Sequence, residues 1–189
     1  MRLVWRLLLV GAAITGIVFA ILRLKNPWVA FTVQSNAVLS LYYGWRLLGG
    51  RGSAALKGAV TLYLVITGVV AFFALPLASW ERPDNILLHG VTPMMALADW
   101  LAFDRDLRPG WADPVKWLGF PLAYAAVVLV FAPGLPIRMA HLYLRVNRLG
   151  WTDYLVAGLA FSVVFLVAGY VLVGLHRMSS GRVEADARV

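Results

Sequence analysis

Six apolar runs, at 4–22, 29–48, 54–77, 86–103, 115–131 and 154–175, alternate along the chain with short polar, glycine-bearing or proline-bearing breaks. A membrane-crossing helix needs about 20 mostly apolar residues, so each run is read as a span. The breaks are chemically sharp: Gly49-Gly50 closes the second run, and Pro133-Gly134-Leu135-Pro136 closes the fifth. No internal repeat and no second domain are visible. The pattern predicts an all-α polytopic membrane protein, a bundle of six transmembrane helices over residues 1–176. A polar, disordered tail is expected at 177–189. The first run is too long for a signal peptide, and no small-residue cleavage site precedes Lys25, so it is read as a retained helix.

Composition agrees with a membrane protein. Of 189 residues, 61% are hydrophobic and 14% charged, against about 25% charged in a soluble domain. There are no cysteines, so disulfides, thiolate nucleophiles and cysteine metal sites are excluded. The net charge of +8 does not suggest nucleic-acid binding, because the basic residues are scattered between apolar runs. Dispersed in this way they set orientation and touch lipid headgroups. Eleven Lys and Arg fall on the side that holds both termini and six on the other. That places both termini in the cytoplasm and the first, third and fifth connections outside. A bacterial inner membrane is the expected location.

Polar residues inside the runs supply the candidate chemistry. FTVQSN, residues 31–36, opens the second run with four hydrogen-bonding side chains. Thr32 lies in the first turn of that helix, and His89 lies near the start of the fourth run. Both should sit at the outer end, about 5 Å deep at 1.5 Å per residue. At 100° per residue Thr32, Ser35, Asn36, Ser40 and Tyr43 share one face. Asn85, His89, Thr92 and Ala96 share a face of the fourth helix, with Asp99 at its edge. Polar groups within a span face the bundle interior, so the two stripes should point inward, at each other. Interhelical glue is the competing reading for Ser35, Asn36, Ser40 and Thr92. For Asp99 the expected role is structural, as the partner of a Tyr or Trp. A hydroxyl and an imidazole remain, with Thr32 as nucleophile and His89 as its base. Ser35 and Asn36, one turn on, are candidates to donate hydrogen bonds around Thr32. Asn85 and Asp84 are candidates to orient the base, and Asn36 and Asn85 to hold an oxyanion. No cofactor is expected, and the three histidines are too scattered for a metal site.

In IRMAHLYLRVNRL, residues 137–149, Arg138, His141, Arg145 and Arg148 recur at helical spacing. This predicts an amphipathic helix in the membrane interface between the fifth and sixth spans. Its arginines either reach lipid phosphates or, as Arg138 and Arg145, meet the carboxylate of an amphiphilic substrate.

FTVQSN, LLHGVTPMMALADWLAF (87–103) and PLAY (121–124) resemble the Pr6Pr-type bacterial membrane proteins. More distantly they are similar to the FAR-17a/AIG1-like family, which includes androgen-induced gene 1 and the androgen-dependent TFPI-regulating protein. The resemblance implies an intramembrane threonine hydrolase acting on fatty acid esters of hydroxy fatty acids, with Thr32 and His89 as its two residues and Ser35 as the alternative match for the hydroxyl. The partners implied are a lipid or amphiphilic ester substrate and the surrounding membrane lipids. A non-catalytic lipid or solute carrier, and an acyltransferase of the same fold, are the alternatives.

Overall fold

The computed structural model describes residues 1–131 and 146–186, with side chains over 1–127 and 151–180. Every regular element among them is helical. The chain forms α1 (Arg2–Arg23), α2 (Phe31–Leu47) and α3 (Ala54–Ala74). Next comes a continuous helical run, α4, built from Pro83–Asn85, a π-helical segment Ile86–Val91 and Thr92–Ala102. It is followed by α5 (Asp113–Trp117), α6 (Gly119–Phe131) and α7 (Val146–Asp186). Within these, Arg2–Arg23, Ala54–Ala74 and Trp151–Ser180 are long and apolar enough to cross a membrane.

The distribution of apolar side chains fits lipid rather than water. On α1, Leu9, Ala13, Ile17 and Ala20 are buried at helical spacing, while Leu7, Leu8, Ile14, Val18 and Ile21 are exposed. Leu155, Val156, Leu159, Val163 and Val167 are exposed on α7. A water-soluble protein rarely shows contiguous apolar surface of this extent. α3 is the central helix, buried almost continuously from Lys57 to Leu64. Its start is capped by Ser53, whose Oγ accepts from the Leu56 N–H at 3.3 Å, the usual solution for orphan donors at a helix N-terminus.

Contacts between distant residues fix which element ends lie together. At one end, Arg2 pairs with Asp104, and Ser180 donates to the Arg105 carbonyl. The start of α1, the connection after α4 and the later part of α7 therefore meet. At the other end, Arg23 pairs with Asp84, and the Tyr124 hydroxyl donates to the Val29 carbonyl at 2.8 Å. One boundary differs from expectation. α7 continues past His176 to Asp186 where a disordered tail was expected at 177–189. Arg177 donates to the Pro109 carbonyl, and Ser179 and Ser180 donate back to the His176 carbonyl. These polar side chains find partners on the helix and on the neighbouring connection.

Pro93 explains the π-helical segment. Having no N–H, proline cannot continue the α-helical ladder. Thr92 N–H donates five residues back, to Leu87, so the Leu88 carbonyl has no backbone donor at either helical spacing. Side chains replace it. Asn36 Nδ2 donates to that carbonyl at 3.4 Å, and Thr92 Oγ1 approaches it at 3.5 Å. Gly68 of α3 lets the widened turn come close. A Cβ there would stand 3.0 Å from the His89 carbonyl oxygen and 3.1 Å from the Pro93 Cβ. Gly68→Val should therefore destabilise the protein by about 1–3 kcal/mol through overpacking, seen as a lower melting temperature in detergent. Gly11→Ala, where a Cβ meets nothing within 4 Å, should leave stability unchanged or raise it. Equal behaviour of the two variants would contradict this packing account.

Candidate functional site

Thr32 is held in place by its neighbour. The Phe31 ring packs among Tyr124, Phe120, Tyr63 and Phe165, with centroids 5.0 to 6.3 Å away. That cluster anchors the first turn of α2 against α3, α6 and α7. Thr32, one position on, is half-buried rather than sealed in. His89 is also half-buried, on the π-helical segment. The two polar stripes do face each other. Thr92 Oγ1 donates to Asn36 Oδ1 at 2.7 Å, and Tyr43 donates to Asp99 at 2.7 Å.

Asn36 is the hub of this crossing. Its amide donates to the Thr32 carbonyl at 2.9 Å as well as to Leu88. Thr32 and the residue beside His89 are thus linked through one fully buried side chain. Both amide protons are committed, so Asn36 serves as glue. The same holds for Ser35, which is fully buried and donates back to the Phe31 carbonyl at 2.8 Å.

The imidazole of His89 has a defined orientation. Its Nδ1 lies 3.4 Å from the Thr67 carbonyl oxygen on α3. A carbonyl only accepts, so in this contact Nδ1 is the donor. The group that orients the ring is therefore a backbone carbonyl, and no side-chain pattern announces it. Asp84 and Asn85 are engaged elsewhere. Asp84 pairs with Arg23, whose Nε stands 2.8 Å away, and Asn85 donates to the Ser79 carbonyl at 2.8 Å. Both fasten the α4 start to its surroundings. Arg138, Arg145 and most of the expected interfacial helix lie outside the described residues.

No family model, curated protein or solved structure matches this chain. Its function therefore rests on the site.

A second polar constellation fills the opposite end of the bundle. Asp99 is completely buried. Arg6 grips it with Nε at 3.0 Å and Nη2 at 3.2 Å. Lys57 Nζ stands 2.9 Å away and also donates to the Phe103 carbonyl. Tyr43 is thus only one of three partners. Asp104, just beyond α4, takes Arg6, Arg2 at 3.1 Å, Arg46 at 3.4 Å and Lys57 at 3.4 Å. In the sequence Arg6 and Lys57 look like flanking charges, yet both are buried. The signal for them is their position, four residues or fewer inside α1 and α3, level with the only acidic residue of an apolar run.

Asp104 has a φ of 54°, in the left-handed region that Asp tolerates better than most residues. Burial pushes its carboxyl up, but Lys57, Arg6 and Arg46 outweigh burial and hold it below the usual carboxylate range. Because the folded-state value is depressed, the unfolded chain takes up this proton first on acidification. The contribution is then complete above about pH 4 and is lost as pH falls further. Melting temperatures should be flat from pH 7 to 5 and fall below about pH 4. Asp104→Asn keeps the backbone preference and removes the charge. It should be less stable at pH 7, with the gap to wild type closing as the pH drops. A constant gap across that range would show that Asp104 carries no pH-linked stability.

Proposed function

We propose that the protein is a six-span integral membrane hydrolase of lipid esters, with Thr32 as nucleophile and His89 as base. The observation that supports this most is the His89 Nδ1 contact with the Thr67 carbonyl, the kind of fixed ring orientation a general base needs. The structural work between α2 and α4 is already done by the Asn36–Thr92 and Tyr43–Asp99 pairs. Thr32 and His89 are each half-buried near the crossing, one a turn before Asn36 on α2 and the other just before Thr92 on α4. Six crossings fit the shared end of the α1 start and the later α7, with both termini cytoplasmic in a bacterial inner membrane. The resemblance to the intramembrane threonine hydrolases points to the same two residues and to fatty acid esters of hydroxy fatty acids.

In the proposed reaction Thr32 Oγ1 attacks the ester carbonyl carbon while its proton passes to His89 Nε2. The tetrahedral oxyanion collapses, and the leaving alkoxide takes that proton from the imidazolium. Water then attacks the acyl-threonine, again giving a proton to His89, and the proton returns to Thr32 as the acid departs. With Asn36 and Asn85 both engaged, the oxyanion donors nearest Thr32 are the first N–H groups of α2, which helix geometry leaves without intrahelical partners. An acyltransferase would share the first half-reaction and replace water by a lipid alcohol. The carrier reading needs an open polar path, whereas side-chain pairs fill the stripe between α2 and α4.

Thr32→Ala and His89→Gln should each lower ester cleavage by about a hundredfold or more, with melting temperatures in detergent close to wild type. The double variant should be no worse than either single one, because the two groups act as a unit. Ser35→Ala should retain turnover. Activity that survives in both Thr32→Ala and His89→Gln in proportion to folded protein would remove these residues from the reaction. Loss in Ser35→Ala alone would move the nucleophile to that hydroxyl.

A further inference from the structure

A cavity of about 300 Å³ opens at the charged end of the bundle, lined by Arg2, Arg6, Arg46 and the Gly49-Gly50 turn. Three arginines on one small cavity make it strongly electropositive. Behind it, among the described residues, four cations (Arg2, Arg6, Arg46 and Lys57) face two carboxylates, Asp99 and Asp104. The cations outnumber the carboxylates by two, and an anion at the cavity would offset that excess.

Arg46 is held ready for such a ligand. Its Nη1 donates to the Gly50 carbonyl at 2.9 Å, and its Nη2 reaches Asp104. Its Nε is buried with no hydrogen-bond partner among the described residues. A buried orphan donor is costly, so the guanidinium gains from any shift that brings this N–H to an oxyanion in the cavity. The local backbone is shaped around this side chain. Gly49 has a φ of +88°, a Cβ on Gly50 would run into the Trp45 ring, and a Cβ on Gly52 would stand 3.0 Å from the Arg46 guanidinium. The start of the long helix α1 also lies at the cavity, through Arg2 and Leu3, and its unpaired N–H groups add partial positive charge. Arg2 keeps more than half of its side chain exposed, so it can close on a ligand from the solvent side.

We propose that this cavity binds a phosphate-bearing anion, held by Arg2 and Arg46 against the fixed charge of Arg6. Arginine suits this because its planar fork matches phosphate oxygens two at a time. The other lining residues, Leu3 and Leu47, give apolar walls that fit the glycerol and upper acyl carbons of a phospholipid. The site is distinct from Thr32 and His89 and lies at the opposite end of the bundle, so it stands whether or not those residues are catalytic.

The full chain, reconstituted in phosphatidylcholine nanodiscs, tests this by titration with phosphatidylglycerol, read by native mass spectrometry and by melting temperature. Wild type should retain phosphatidylglycerol in preference to phosphatidylcholine. Arg2→Gln and Arg46→Gln should each weaken retention about tenfold, while Arg51→Gln, an exposed arginine at the same end, should not. Arg2→Gln carries the test alone if Arg46→Gln fails to fold. Inorganic phosphate separates the sources. If millimolar phosphate displaces the lipid and raises the melting temperature of wild type but not of Arg2→Gln, the site takes free phosphate. If it does neither while the lipid preference holds, the ligand is a headgroup. No preference for phosphatidylglycerol together with no Arg2-dependent phosphate effect would overturn the proposal. So would equal weakening by Arg51→Gln, which would reduce the effect to general surface charge.

Discussion

The Asp99 carboxylate accepts hydrogen bonds from Arg6 and Tyr43 and forms an ion pair with Lys57, and each partner belongs to a different helix. One fully buried carboxylate on α4 thereby holds α1, α2 and α3 in a fixed register. A carboxylate in the apolar interior without counter-charge would be expensive, about 2.5 to 3.5 kcal/mol even on the mildest insertion scales. Removing one partner of a buried ion pair typically costs about 3–5 kcal/mol, because the other charge is stranded. The cluster is therefore less a source of stability than a demand for one arrangement. Helices displaced by a turn would separate Asp99 from at least one of its cations. The same demand draws in Asp104 and Arg46, and so shapes the electropositive cavity beside them.

The other end of the bundle is organised by a missing hydrogen rather than by charge. Pro93 removes a backbone donor, the turn before it widens, and the Leu88 carbonyl needs a side-chain partner. Asn36 provides one and holds the first turn of α2 through the Thr32 carbonyl. The widened turn rests on Gly68, which sets His89 against the Thr67 carbonyl. The proposed reacting groups thus owe their positions to a proline, an asparagine and a glycine, none of which takes part in the chemistry. π-helical segments of this kind are often found at functional sites.

Much of this was legible in the sequence, for identifiable reasons. Helical periodicity correctly set the polar stripes of α2 and α4 against each other, because a span has few ways to hide Asn36, Thr92, Tyr43 and Asp99. Apolar length marked the helices, with three of the runs falling on helices that are long enough and apolar enough to cross a membrane. The partners of Asp99 were not legible. Arg6 and Lys57 sit near helix ends, where a basic residue ordinarily reaches outward to headgroups, and only the fold shows them turned inward. Asp84 and Asn85 look available beside His89, but local geometry turns them to Arg23 and Ser79. The carbonyl that orients His89 is a backbone group, and the side-chain pattern carries no trace of it. The helical continuation to Asp186 was hidden because a polar segment reads as a tail until its partners, the Pro109 and Arg105 carbonyls, are known.

Buried charge fixes the helices at one end, and the proposed reacting groups, Thr32 and His89, lie toward the other. The proposed reaction depends on acylation of Thr32. Brief incubation of the purified protein with a lipid ester, acid quenching, and peptide mapping by mass spectrometry tests it most directly. An acyl adduct is expected on Thr32 in wild type and not in His89→Gln. An adduct on Ser35, or ester turnover with no acylated residue at all, would contradict it.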